Sequence, residues 1–377
     1  MISTAFTWIR YNLFNKPFDA LLSVIVIPSL LWCLWTVLDW AVFTAQWDVI
    51  PDSFRVLMVG IYPVDALWRA WIALLVLSAL FGATLGTVFR LKNGHGWLMG
   101  VIFASFAALV SRYGLETVLL VLAWGAIAGG SWFTTSHFPR LRHYLIPAWI
   151  IGLISIFIIL APPGVGLWGG LMLSVLITLV TALVTLPLGI LLAFGRRSPI
   201  PSVRYVCTAY IEIMRSVPLI LVVYWIWIVM PVLAPELSVP DVARGMIGFS
   251  VFFSAYVAEY IRSGLQNVPR GQVEAARSLG LSSFEINRSI VLPQALKVAI
   301  PGLVGNVLDV FNAAPLVFII GLTDFLRAGQ MILANPQFGD RTYEVYGFLF
   351  VVYFLIGSLI TFAARKLELH LAKGSRS

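Results

Sequence analysis

The chain has 377 residues, 60% of them hydrophobic and 11% charged, and its mean hydropathy is +0.94. That balance excludes a soluble globule and marks a polytopic membrane protein. The net charge of +8, from 25 Lys and Arg against 17 Asp and Glu, would suggest nucleic acid in a soluble protein, but here the basic residues flank apolar runs and report topology, so no nucleic-acid partner is expected.

Taken in order, an apolar run at 18–43 is too long for a signal-peptide core and reads as a retained first span. A polar loop at 44–66 precedes a second span at 68–88. Residues 97–133 are apolar but broken at 111–116, which predicts a hairpin of two short spans. Another span at 144–161 ends in Pro162-Pro163-Gly164, the expected boundary between an N-terminal extension, 1–163, and a core, 164–377. Gly82/Gly86 and Gly125/Gly129 have the spacing of close helix contacts, and Trp40, Trp47, Trp68 and Trp168 that of an interfacial belt. Five core runs follow, at 167–194, 205–233, 242–261, 298–325 and 346–364; Pro301 and Pro315 in the fourth predict a bent or re-entrant segment. Counting 97–133 as a hairpin gives about ten crossings and puts every basic cluster on one side, with both termini cytoplasmic.

Cys33 and Cys207 stand far apart in apolar or near-apolar segments, and the four histidines (His95, His137, His143, His370) occur singly without ligand spacing. Neither a disulfide framework nor a metal site is expected, and the chain offers no cluster of acid, base or metal ligands for a membrane enzyme.

The polar stretch at 272–293, QVEAARSLGLSSFEINRSIVLP, cannot be a span. Pro269 can start a first helix and Gly280 can end it in the left-handed conformation. Ser282 and Glu285 have capping-box spacing for a second helix, with Pro293 marking where the chain leaves it. Ala275 and Ala276 are small enough for another backbone to approach. The predicted shape is a helical knob that another protein could grip.

This stretch matches EAA-x3-G-x9-I-x-LP at every fixed position (Glu274, Ala275, Ala276, Gly280, Ile290, Leu292, Pro293). It resembles the coupling loop of the membrane subunits of bacterial ABC importers. The flanks AYVAEYIRSGLQNVPRGQ and YIEIMRSVPLI look like the polar-amino-acid branch, the histidine/glutamine-type permeases, and the long extension is similar to permeases of general L-amino-acid importers. The resemblance implies an all-α polytopic protein of the bacterial inner membrane, with a five-helix type I permease core plus a helical extension. It implies three kinds of partner beside membrane lipid: an ABC ATPase dimer, a second permease that is a non-identical homologue, and a periplasmic amino-acid-binding protein.

The chain has no GxxxxGK[ST], so ATP binding and hydrolysis are expected on another subunit and no cofactor on this one. An ion-coupled secondary amino-acid transporter is the alternative. Ionisable residues inside spans are candidates for the substrate pathway. Glu212, Arg215 and Ser216 share one helix face, and Tyr256, Glu259 and Arg262 follow at successive steps of three; salt bridging that fixes the inner half of the bundle is the expected role for both sets. Asn306, Asp309 and Asn312 lie at mid-depth, where either Asp309, helped by the two asparagines, would meet the α-ammonium of an amino acid or the three would form a polar stripe facing the partner subunit. One departure from the family is visible at 312–316: Asn-Ala-Ala-Pro-Leu stands where Lys-Asp/Asn-Thr-Ser/Thr-Leu is usual.

Overall fold

A computed structural model describes residues 11–88 and 115–373, and these are overwhelmingly helical. The helices that position the site are α1 (Pro17–Asp39), α2 (Leu67–Val88), α3 (Leu115–His137), α4 (Leu145–Leu160), α5 (Gly170–Arg196), α6 (Pro201–Ser216), α7 (Leu219–Leu233) and α8 (Asp241–Gln266). They continue as α9 (Arg270–Ser278), α10 (Ser283–Ile286), α11 (Leu292–Ala313), α12 (Phe325–Leu333) and α13 (Thr342–Lys373). Among the described residues seven helices are long and apolar enough to cross a membrane, or eight if α6 and α7 form one broken span. The first half of the expected 97–133 hairpin lies outside the described residues.

The core is built around α8. Fifteen of its 26 residues are buried, among them Gly248, Ser250, Ser254 and Gly264, so neighbouring helices lie directly against its backbone. A Cβ on Gly189 of α5 would sit 3.0 Å from the Ala258 nitrogen, and one on Gly264 would strike Ala295 of α11. Tyr210 of α6 donates to the Val251 carbonyl at 2.6 Å and lies 2.9 Å from the Ser254 hydroxyl, which fixes α6 to the same helix.

The expected span at 205–233 is not one straight crossing. α6 and α7 meet at 113°. Pro218 has no N–H to continue the helix and forces Val217 into an extended conformation, φ −100° and ψ 141°. The Pro315 segment behaves as its sequence predicts. α11 tightens into a 3-10 turn over Ala314–Ile320, Gly321 takes φ +79°, and the chain turns into α12.

Part of the extension is joined to the core, whereas α1 buries none of its residues. Tyr62, Ala73, Leu153, Ile156 and Leu160 share one hydrophobic cluster with Leu173, Val222, Phe249 and Val310. Val49, Ile50 and Leu57 pack with Phe325, Ile332 and Val345 in another. Three backbones converge where Thr323 and Asp324 pair in parallel with Gly169 and Gly170. A Cβ on Gly169 would lie 2.8 Å from the Thr323 oxygen and 2.9 Å from the Gly60 Cα, so only glycine fits there. Trp168 does not belong to an interfacial belt: it is fully buried, and its indole N–H donates to the Leu160 carbonyl, which also accepts from the Tyr62 hydroxyl. That carbonyl ends α4 and needs partners once water is excluded. Of the glycine pairs, Gly82 and Gly86 do lie against α3, where Thr135 also donates to the Ala83 carbonyl at 2.9 Å, whereas Gly129 faces open space.

Candidate functional site

At one end of the bundle, between α8 and α11, the EAA stretch folds as two helices. α9 ends as its sequence predicts. Gly280 has φ +80°, its N–H donates to Arg277 and that of Leu281 donates to Ala276, the paired bonds of a Schellman cap. Ser282 and Glu285 form a complete capping box: the Ser282 N–H donates to the Glu285 carboxylate at 2.9 Å and the Glu285 N–H donates to the Ser282 hydroxyl at 3.3 Å.

Pro293 does not end the second helix. A π-turn over Asn287–Val291 joins α10 to α11, and Pro293 falls in the first turn of α11. The loop therefore runs by continuous helix into a core span.

The motif residues divide by burial. Ala276 is buried with Ile286, Val291 and Ala295, and Ile290 packs on the same cluster, so Ala276 seals the hairpin instead of receiving a partner. Glu274, Ala275, Gly280 and Pro293 are exposed, and Leu292 is half-buried. Gln294 donates to Gln272 across the base of the hairpin at 2.7 Å. Sequence reading missed the apolar tip: Leu279 is 81% exposed and Phe284 70%, with Leu281 between them. The cluster is written in the sequence as SLGLSSF, three apolar residues set among small and polar ones.

The charged members of the two sets on α6 and α8 meet in one ion-pair network at the same end. Glu259 is its centre, 16% exposed, bonded to Arg196 at 2.6 Å and Arg262 at 2.8 Å, with Arg215 at 3.7 Å. Arg196 also reaches Glu212 at 2.8 Å. Arg196, from the end of α5, is the member that spacing could not supply, because the network joins three helices far apart in sequence. Ser216 bonds only its own helix, to the Ile213 carbonyl, and Tyr256 packs among Phe252 and Phe253.

Asn306, Asp309 and Asn312 do not act as one stripe. Asn306 is 2% exposed, and its side-chain oxygen accepts no hydrogen bond from the described residues. Asp309 and Asn312 are exposed, and Asn312 lines a groove of about 550 Å³ between α11 and α13 with Leu308, Tyr353 and Phe354. Successive steps of three drift about 60° each around a helix, which takes Asn312 away from Asn306.

At the far end of α5, Asp324 caps α12 by accepting from the Leu326 and Arg327 N–H groups, both at 3.0 Å, while Phe325 N–H donates to Ser174. Burial pushes the Asp324 carboxyl up to about 6, although those N–H bonds and Arg327 pull it down. Among the described residues no group of His, Cys, Asp and Glu could hold a metal ion.

Comparison with known proteins decides the family. Residues 185–369 match the binding-protein-dependent transport system inner membrane component. The inner membrane amino-acid ABC transporter permease protein YhdY of Escherichia coli K12 is 32% identical over 94% of this chain and 89% of its own length. The chain belongs to the amino-acid ABC transporter permeases. A second relative, the glutamate/glutamine/aspartate/asparagine transport system permease protein BztC of Rhodobacter capsulatus, is 29% identical over 99% of this chain and 95% of its own. A crystal structure of an amino acid ABC transporter with histidines is similar over 53% of this chain and 92% of that one, at 28% identity and a TM-score of 0.48. The family match at 185–369 takes in the hairpin and the charged network. Both relatives extend the likeness through the N-terminal extension, whose Tyr62 and Leu57 are buried in the same core clusters as the matched helices. The relatives are ABC permeases, so the ion-coupled alternative has no support.

Proposed function

We propose that this permease is the membrane-spanning path of a binding-protein-dependent importer of L-amino acids, driven by an ATPase dimer that grips the α9–α10 hairpin. The observation that carries the reading is the hairpin itself: an exposed Leu279, Leu281 and Phe284 tip stands on a base sealed by Ala276 and Ile286 and continuous with α11. A partner that moved the tip would move α8 and α11 with it, because Gly264 and Ala295 leave no slack between them. The network around Glu259 ties α5 and α6 into the same rigid end.

In this reading the hairpin faces the cytoplasm, both termini are cytoplasmic, and ATP is bound and hydrolysed on the partner subunits. A periplasmic binding protein delivers the amino acid at the opposite end, and a second, non-identical permease completes the path. Residues 1–163 are an extension built onto the transport core at 164–377. Glu212, Arg215 and Glu259 serve as ties between helices, whereas Asp309 and Asn312, exposed polar residues in the second half of α11, are the substrate contacts.

The test is affinity purification of the full chain from its native membrane, wild type beside Gly280→Arg, with the co-purifying proteins identified. A Cβ at Gly280 meets nothing within 4 Å, so the substitution acts through its φ of +80° and through bulk at the tip. Recovery of a P-loop ATPase and a second permease with the wild type, and loss of the ATPase alone with the variant, is the expected result. Recovery of the chain by itself, with uptake independent of ATP after reconstitution, would refute the reading.

A further inference from the structure

Beside the Glu259 network, where α5 and α8 end and the hairpin begins, lies a cavity of about 410 Å³. Four arginines line it, Arg196, Arg197, Arg262 and Arg270, and no carboxylate does. Behind its wall the carboxylates of Glu259 and Glu212 engage Arg196, and Glu259 engages Arg262 and Arg215 as well. Three guanidinium groups thus share two carboxylates, and Arg197 and Arg270 stand beside them, which leaves a local charge of +3. Among the described residues neither Arg197 nor Arg270 is paired with an acid, and Arg197 reaches only the Leu265 carbonyl at 3.5 Å.

We infer that this cavity is a binding site for a phosphate-bearing anion. Guanidinium forks hold phosphate through paired, charge-assisted hydrogen bonds, and two unneutralised arginines on one concave wall can chelate it from both sides. Arg196 and Arg262 are already oriented by Glu259, so less side-chain freedom is lost on binding. The position favours an anionic phospholipid as the source: the apolar span of α5 ends at Arg196 in the cavity wall, and basic residues at the end of a span attract anionic lipid. A soluble phosphate compound carries the same chemistry and is separated by the test. Bound phosphate would bridge the end of α5 to Arg270 at the start of α9, so that lipid composition would set the rigidity of the hairpin's base.

The experiment is native mass spectrometry of the full chain, purified with whatever subunits accompany it, titrated with phosphatidylglycerol, phosphatidylethanolamine or inorganic phosphate. The variants are Arg197→Gln with Arg270→Gln, which leaves the Glu259 pairs in place, and Arg197→Lys with Arg270→Lys. The wild type should bind phosphatidylglycerol about tenfold more tightly than phosphatidylethanolamine, the Gln pair should lose that preference, and the Lys pair should keep most of it. Saturable binding of inorganic phosphate that displaces phosphatidylglycerol supports a site open to soluble ligands, and its absence supports a lipid site. Equal binding of the two lipids by the wild type, or unchanged preference in the Gln pair, overturns the assignment. If the Gln pair fails to fold, the wild type decides alone: its preference must fall as salt is raised, and a salt-independent preference overturns the site.

Discussion

Arg196, the last residue of α5, holds Glu259 of α8 at 2.6 Å although 63 positions separate them in the chain. The same carboxylate receives Arg262 from its own helix and faces Arg215 from α6. A single acid therefore keeps three like-charged arginines together.

Glu259→Ala should destabilise more than the loss of any one arginine, because it leaves three guanidinium groups facing each other in a half-buried site. Removing one partner of a buried pair costs about 3–5 kcal/mol, and partial exposure of the arginines reduces that to about 1–3 kcal/mol. Thermal unfolding in detergent should show Glu259→Ala lowering the midpoint clearly. The Arg196→Ala/Glu259→Ala double variant should be less destabilised than the two singles added together. Strict additivity would remove the network from the account.

The exposed hairpin tip makes an opposite prediction. Leu279→Ala with Phe284→Ala deletes side chains that contribute nothing to the permease's own core. The unfolding midpoint should stay put while affinity for the ATPase falls by about 2–4 kcal/mol, the usual scale for two apolar anchors at an interface. A pull-down with graded ATPase concentrations reads the shift; unchanged retention of the ATPase would place the grip elsewhere on the loop.

The limits of sequence reading follow from these same residues. Gly280 and the Ser282–Glu285 box were legible because local backbone geometry dictates them within a few positions. The core helices α5, α11 and α13 were legible from apolar run length, whereas the expected span at 242–261 is not among the helices apolar enough to cross, and the 113° turn between α6 and α7 follows from the extended Val217 ahead of Pro218. Arg196 reaching Glu259 depends on the fold closing, as does the burial of Trp168 beneath residues of the extension. The polar residues of α11 had the right spacing for a stripe, yet the drift of about 60° at each step of three leaves Asn306 buried and Asp309 exposed.

Asp324 gives a pH prediction. It lies between the spans 283–320 and 342–367, fully buried, with its carboxyl raised by burial from 3.8 to about 6. Between those values the folded protein holds a proton that the unfolded chain has released, so stability is fully present below pH 4 and falls as pH rises through 6. The swing is at most about 3 kcal/mol, from 1.36 kcal/mol per unit. Asp324→Asn keeps an oxygen to cap α12 but cannot ionise. Its unfolding midpoint should vary less between pH 4 and pH 7 than that of the wild type, and matching pH profiles would mean that Asp324 does not titrate in this window.

Asp309 is the sharpest test of the transport path. It is exposed on α11 one turn from the Asn312 groove, and among the described residues it has no ion-pair partner, unlike Glu259, Glu212 and Asp241. A carboxylate left unpaired within a span is costly unless a cation or water meets it during the transport cycle, and the α-ammonium of an amino acid is such a cation. Asp309→Asn keeps the size and removes the charge, so it should raise the KM for uptake by about tenfold to a hundredfold, the 1.5–3 kcal/mol of a charge-assisted hydrogen bond. Retention of the ATPase should be unaffected, because the hairpin is remote along α11. Asn312→Ala, which removes a neutral contact, should have a smaller effect in the same direction. Uptake kinetics that are unchanged in both variants would return Asp309 to a packing role against another subunit, and a loss of maximal rate with KM unchanged would indicate that it acts in the conformational cycle rather than in substrate binding.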